Sequence, residues 1–345
     1  MLLLRDAQPS DLPSLRRLAR VLDTVNLPDD PRALGQILAR SRQSFAGRLP
    51  ALSRQYLFVA EDPRRRAVVG TSMVIAQHGT RESPCTFFDV SEREHYSSTL
   101  DRHFRHPVLS LGYHFDGPTE IGGLVVAPRH RGSREQPGKQ LSHVRFLYMA
   151  IHPERFREVV LAELMPPLTA DGRSAFWEAF GRRFTGLDYQ EADKRSRENK
   201  EFIQQLFPPG GVYASLLPQG VQRQLGTVGP ATRPAERLLR RLGFRYVNRV
   251  DPFDGGPHYE ARLRDVTLVR AHRAAPLSPR PLGDRADGGE GPEVLVARLP
   301  ARGPTHLRAV RTRARLVAGR LHLPAAARDL LGARPGELLH LTPFE

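Results

Sequence analysis

One stretch constrains the fold more than any other. Glu120-Ile-Gly-Gly-Leu-Val-Val126 is a short apolar run stopped by Pro128, and Glu158-Val-Val-Leu-Ala-Glu-Leu164 is a second, stopped by Pro166-Pro167. An Arg/Gly-rich loop and the helical stretch Gly138–Ile151 separate them. Strand, loop, helix and strand in that order form a crossover unit, which joins parallel strands. The loop turns through Arg129, Arg131, Gly132 and Arg134, with Gly138 and Lys139 opening the helix. Unpaired N–H groups and the positive dipole end lie at a helix N-terminus. Glycine allows close approach, and Arg and Lys add charge, so the combination suits a diphosphate. The same residues also fit a solvated basic loop with no ligand.

The flanking chain adds further elements. Residues 2–6 alternate as a strand. Ser10-Asp11-Leu12-Pro13 opens a helix with Ser10 as N-cap, carrying Leu12, Leu15, Leu18, Ala19 and Leu22 at helical spacing. An amphipathic segment over 31–46 follows, then the strands Tyr56–Ala60 and Ala67–Ile75 around the turn at 61–65. Later helices are expected over 174–180, 198–207 and 232–242, the last capped by Thr232 and ended by Gly243. A strand at 244–250 and the turn Asp254-Gly255-Gly256-Pro257 come next. Residues 273–292, rich in Pro, Gly, Ala and Arg, read as a linker or mobile loop. Beyond it lie strands near 293–299 and 306–317, a hairpin at Ala318-Gly319, a helix near 324–331 and the run Leu338–Leu341. The expected domains are therefore 1–272, the linker 273–292, and a small β-rich domain over 293–345.

Charge narrows the function classes. The 345 residues carry 52 Lys+Arg against 37 Asp+Glu, a net +15. Only Lys139, Lys194 and Lys200 are lysines. The arginines are scattered, with no zinc finger, aromatic nucleic-acid motif or sustained basic helix, so an anionic small molecule is favoured over nucleic acid. No apolar run reaches the roughly 20 residues that span a bilayer, and the N-terminus does not read as a secretory signal. The expected compartment is the cytoplasm. The single cysteine, Cys85, excludes an internal disulfide and reads as structural, with no base near it in sequence. His95, His103 and His106 lack ligand spacing in a segment read as a loop, so no metal is expected. Phe176, Trp177 and Phe180 read as core.

The opening strand-helix-helix-strand-strand order, followed by strand, Arg/Gly loop, helix and strand, resembles the GCN5-related N-acyltransferase fold. Leu124-Val-Val-Ala-Pro-Arg-His-Arg-Gly132 looks like the start of that fold's pyrophosphate motif. A narrower resemblance runs almost end to end. Its blocks are Arg5–Leu12, Tyr56–Asp62, Ser142–Ala150, Val160–Glu163, Asp171–Trp177, Lys200–Ile203, Gly243–Tyr246, Phe253–Pro257 and Leu330–Leu338. In this order they resemble the arginine N-succinyltransferase family. The resemblance implies an α+β fold on a mixed sheet, with a small C-terminal β-rich, barrel-like appendage.

It also implies transfer of succinyl from succinyl-CoA, or another acyl group from its CoA thioester, to the α-amine of arginine or a related amino acid. Acyl-CoA is then a co-substrate rather than a tightly bound cofactor. Leu124, Val125 and Val126 would pair with pantetheine, and Arg131, Arg134, Gly138 and Lys139 would hold the pyrophosphate. The implied partners are acyl-CoA, a small amino-acid amine and a family member in a homo- or hetero-oligomer, with no membrane.

The departures bear on mechanism. Gln136-Pro137-Gly138 stands where the family has Gly-x-Gly, after a two-residue insertion. Met165 replaces a family arginine, which would shift acyl preference toward a less charged thioester. Gly226-Thr-Val-Gly-Pro230 places Gly229 where the family has its proton-donor histidine. Glu120, which aligns with a family glutamate, and His114 are the candidate replacements, with Asp116 beside them. Glu163, Asp251 and Asp254 are candidates for holding a guanidinium. The alternative is a catalytically impaired paralogue that binds acyl-CoA as a structural or regulatory subunit.

Overall fold

The computed structural model describes residues 1–21, 27–81, 83–196, 200–282 and 291–344. The chain opens with β1 (Leu3–Asp6), α1 (Leu12–Ala19), α2 (Pro31–Phe45), β2 (Gln55–Asp62) and β3 (Ala67–Ile75). β4 (Cys85–Ser97) and β5 (Arg102–His114) form a hairpin, followed by β6 (Thr119–Val126), α3 (Pro137–Ile151) and β7 (Val159–Glu163). A helical stretch holds α4 (Ala175–Ala179), α5 (Gly181–Thr185), α6 (Tyr189–Ser196) and α7 (Glu201–Leu206). Then come β8 (Val212–Tyr213), α8 (Gln219–Gln224), α9 (Arg233–Arg241), β9 (Arg245–Val250) and β10 (Pro257–Arg262). The chain continues with α10 (Thr267–Arg270), β11 (Arg273–Pro276), β12 (Glu293–Arg298), β13 (Arg308–Arg313), β14 (Arg315–Val317), β15 (Arg320–His322), α11 (Ala325–Leu331) and β16 (Leu338–Pro343).

Contacts divide the chain into two units: residues 1–76, 119–158 and 262–345, and residues 77–118 and 159–261. In the first unit the strand order is β11-β16-β12-β13-β1-β2-β3-β6. Alternation along β2 explains its two faces. Leu57 and Val59 join Leu15, Leu18, Leu34 and Leu38 of α1 and α2 in one core. Tyr56 and Phe58 point the other way, onto Tyr148 of α3 at ring separations of 4.8 and 5.6 Å. Gln140 through Met149 of α3 are all buried, the mark of a helix covered all round. α3 lies against β2, β3 and β6, and also against α10, β12 and β16.

In the second unit the order is β7-β10-β9-β4-β5-β8. Its core gathers Phe88, Phe176, Trp177, Phe180 and Phe207. Trp177 is fully buried, stacks on Phe253 at 5.0 Å and donates from Nε1 to the Leu187 carbonyl at 3.0 Å. The aromatic cluster is core, as its spacing implied.

Several expectations need correction. Asp11, not Ser10, heads α1, because Arg5 holds the Asp11 carboxylate with two bonds of 2.7 and 2.9 Å and the Gln8 amide donates to it at 2.7 Å. The segment with His95, His103 and His106 is a β-hairpin rather than a loop. Residues 273–276, expected in a linker, are strand β11 paired with β16. Residues 283–290 of that stretch lie outside the described residues, as does Leu22 of the first helical pattern. The contact division also falls elsewhere than the expected boundaries at 273 and 293. β13 pairs with β1, and the Asp6 carboxylate accepts from the His306 and Leu307 amides at 2.8 and 3.1 Å. The hairpin at Ala318-Gly319 forms with φ of 47 and 72°, the paired left-handed turn that suits strand twist. No helix among the described residues is long and apolar enough to cross a membrane.

Candidate functional site

In the first unit, β6 carries a bulge. Met73 of β3 faces Gly122 and Thr71 faces Val125, so three steps on β6 oppose two on β3. Gly123 absorbs the extra residue at φ 56°, in the left-handed region open to glycine. Val125 stays buried in the α1/α2 core, while Leu124 and Val126 are half-exposed. The chain then makes a tight turn over Pro128–His130, and Gln136, at φ 50°, aims it into α3. Pro137 stands in the first turn of α3, where an amide hydrogen has no helical acceptor anyway. The Gly138 and Lys139 amides follow it at the same open end.

The predicted cofactor residues fall into two groups here. Val126, Arg131 and Gly138 come together: Arg131 Nε donates to the Val126 carbonyl at 3.0 Å, and a Cβ on Gly138 would meet Val126 Cγ2 at 3.6 Å. Lys139 and Arg134 are tied to the C-terminal strands. Lys139 Nζ lies 4.7 Å above the Phe344 ring, Arg311 lies 4.5 Å from the same ring, and Arg311 donates to the Arg134 carbonyl at 3.0 Å. A cavity of about 420 Å³ opens beside the loop, with Arg64, Arg65, His130, Ser133 and Pro137 among its walls.

Of the predicted catalytic residues, Glu120 is 4% exposed on β6, opposite Ile75. His114 ends β5 in the other unit. Arg249 Nη1 donates to its Nε2 at 3.0 Å, so the ring is neutral with its proton on Nδ1. Burial and the Arg249 charge both lower its pKa. Arg249 is itself held by Asp89 at 2.8 Å and lies 4.3 Å over the Phe87 ring. Asp116 is exposed. The structure therefore does not gather Glu120 and His114 in one unit.

The second unit holds a set of acceptors at the end of β7. The Asp251 carboxylate accepts from the Phe253 and Asp254 amides at 2.7 and 3.1 Å, and the Asp254 carboxylate accepts from the Gly256 amide at 2.7 Å. Glycine is required in this turn, since a Cβ on Gly256 would meet the Leu164 carbonyl at 2.4 Å. The turn delivers His258, 1% exposed, whose Nε2 has no hydrogen-bond partner and lies 3.6 Å from Glu163 Oε1. One ligand atom each from Glu163, Asp251 and His258 lies within 4.8 Å of the others, and His78, Cys85 and Glu163 form a second such group.

Burial and the neighbouring Glu163 charge raise the Asp251 pKa, and burial with Asp251 raises that of Asp254 further. Burial pulls His258 down to about 4, leaving a neutral ring. Two carboxylates and a neutral imidazole nitrogen accept a cation: a guanidinium, an ammonium or a metal ion. Glu163, Asp251 and Asp254 were legible as guanidinium candidates. His258 was not singled out, although it follows Gly255-Gly256-Pro257 directly. Cys85, read as having no base nearby in sequence, meets His78 in space.

Gly229 packs against the Met165–Pro166 backbone that follows β7. Its amide donates to the Met165 carbonyl at 2.9 Å, and a Cβ there would come within 2.5 Å of the Pro166 carbonyl oxygen. The backbone leaves no room for a side chain at Gly229, the position at which the resemblance implied a histidine.

The arginine N-succinyltransferase beta subunit family matches residues 2–268. An arginine N-succinyltransferase of Escherichia coli is 32% identical over 99% of this chain and 97% of its own length. One from an Enterobacter species is 33% identical over the same shares. The solved structure of arginine/ornithine succinyltransferase subunit AI from Pseudomonas aeruginosa superposes with a TM-score of 0.82 at 30% identity, over 100% of this chain and 99% of that one. Fold and full-length similarity thus agree, and the chain belongs to the arginine N-succinyltransferase beta subunit family, a family of N-acyltransferases.

Proposed function

We propose that this protein transfers succinyl from succinyl-CoA to the α-amine of arginine or a closely related amino acid, as a cytoplasmic enzyme of arginine breakdown. The observation that carries the reading is the bulged β6 leading through an arginine-bearing turn into the open N-terminus of α3, in a chain similar to arginine N-succinyltransferases along 99% of its length. The Gly138 and Lys139 amides and Arg131 would hold the pyrophosphate. Leu124 to Val126 would run beside pantetheine. Leu124 and Val126, half-exposed after the bulge, are the members of that run open to it.

The α-amine arrives protonated near neutral pH and must lose a proton before it attacks the thioester carbon. The C–N bond forms, the C–S bond breaks, and the thiolate takes up a proton. Glu120 is the better candidate for the amine's proton. The His114 Nε2 lone pair is already occupied by Arg249. With Met165 in place of an arginine, the acyl pocket would accept acetyl-CoA as well as succinyl-CoA.

Mass spectrometry of the purified protein with succinyl-CoA or acetyl-CoA and a pool of arginine, ornithine and related amines tests this. A protein-dependent N-succinylated amino acid is the expected product. Glu120→Gln should lower kcat by about 10²–10⁴-fold, the usual worth of general acid–base help, at unchanged KM for acyl-CoA. Acyl-CoA binding without product would establish the impaired paralogue instead. A strong succinyl preference would remove the inference from Met165.

A further inference from the structure

Glu163 ends β7, Asp251 follows β9, and His258 lies on β10, all in the second unit. The backbone brings them together. The Leu164 amide donates to the Pro257 carbonyl at 3.1 Å, which sets Glu163 beside His258. The Asp251 amide donates to the Gly256 carbonyl and the Gly255 amide to the Asp251 carbonyl, both at 2.9 Å, so a closed turn fixes Asp251. One donor atom from each of the three side chains then lies within 4.8 Å of the others. His258 is 1% exposed, and its Nε2 makes no hydrogen bond, since Glu163 Oε1 at 3.6 Å is too far. A buried polar atom left unpaired is destabilising and calls for a reason.

Donor geometry and charge both favour a metal ion here. Two ligand atoms about 2.1 Å from one zinc ion stand about 3.4 Å apart at a tetrahedral angle. The 3.6 Å between Glu163 Oε1 and His258 Nε2 is close to that separation. A guanidinium instead holds acceptors about 2.9 Å from separate nitrogens, which spreads partners from three residues farther apart. The imidazole is neutral, so no proton must leave it. Glu163, Asp251 and Asp254 act on one another, with Lys200 as a cation in range of Asp251 and Asp193 adding negative charge near Asp254. Arg249, which also acts on His258, is paired with Asp89 at 2.8 Å. Burial and mutual repulsion raise Asp251 and Asp254, as expected of carboxylates short of positive charge. The second group, His78, Cys85 and Glu163, brings a single carboxylate, so the first set is better matched to a divalent charge.

We propose that Glu163, Asp251 and His258 bind a divalent transition-metal ion, zinc by ligand type, which clamps the end of β7 to the β9–β10 turn. The inference does not depend on which amine or thioester the protein uses.

The test strips the full chain with a chelator, dialyses it and titrates it with Zn²⁺ against a chromophoric chelator. One zinc per chain is expected, with a higher melting temperature in its presence than in its absence. His258→Gln and Asp251→Asn should each weaken zinc binding by at least about 100-fold, since losing a mere partner of a ligand already costs about 10–100-fold. The asparagine keeps an oxygen for the Phe253 and Asp254 amides, so the turn should persist if His258→Gln fails to fold. Cys85→Ser should bind zinc as the wild type does. A stripped wild type that takes up no zinc, zinc retained by both ligand variants, or binding lost in Cys85→Ser would overturn the proposal. So would arginine that binds the stripped chain in place of zinc and is lost in Asp251→Asn, which would assign the set to an organic cation.

Discussion

Gly229 illustrates how one residue closes off a role. Its Cβ-less backbone lets the Met165–Pro166 carbonyls approach, so Gly229→Ala should destabilise the protein by about 1–3 kcal/mol, the usual cost of forcing atoms into a packed site. Urea unfolding would measure this, and Gly229→His should cost more and bring no gain in kcat. His143 gives a second residue-scale prediction. Its Nδ1 donates to the Lys139 carbonyl at 2.8 Å, and its Nε2 is buried without a partner. Burial, with Lys139 and Arg145 nearby, holds it down to about 4, against about 6.5 in an unfolded chain. The unfolded state therefore binds the extra proton between those values, and stability falls as pH falls through them. The loss from this ring should be about 2 kcal/mol between pH 7 and 5. A pH series of unfolding curves should flatten by that amount in His143→Leu. Neither effect was readable from sequence, because both depend on which distant backbone or charge comes close.

Elements were legible where punctuation and periodicity agreed. Pro128 and the Arg/Gly loop marked the end of β6, and the helical stretch Gly138–Ile151 marked α3. The outer parts of β4 and β5, with His95, His103 and His106, were read as a loop. Their outer halves are exposed on both faces, so the two-residue alternation that betrays a half-buried strand is missing. β10 escaped because it begins on Pro257. The acceptor set of Glu163, Asp251 and His258 was half legible: the carboxylates could be nominated by charge, but their convergence on a buried imidazole needed the fold. At α3, a Cβ on Gly138 makes only an ordinary 3.6 Å contact with Val126. Gly138→Ala should therefore fold normally. It should raise KM for acyl-CoA at least several-fold, with melting unchanged, if a phosphate lies against that amide. An unchanged KM would place the phosphate elsewhere.

At the scale of the whole chain, the C-terminal segment is part of the first unit's sheet through β13 and β1. Asp6 fixes that seam with its bonds to the His306 and Leu307 amides. A chain cut after residue 272 should thus lose cooperative unfolding, because the inner edge of β1 and much of the cover on α3 go with it. Thermal melting followed by circular dichroism would check this, and a sharp two-state transition in the truncated chain would contradict it. Phe344 adds a practical consequence. Its ring is clasped by Lys139 and Arg311, at the mouth of the helix expected to hold the cofactor, and the Met1 amine reaches Glu135 on the same loop at 3.0 Å. A purification handle fused at either end would crowd that mouth. Kinetic constants measured on differently tagged preparations should disagree chiefly in the thioester's KM, and a handle placed in an exposed internal turn would avoid the artefact.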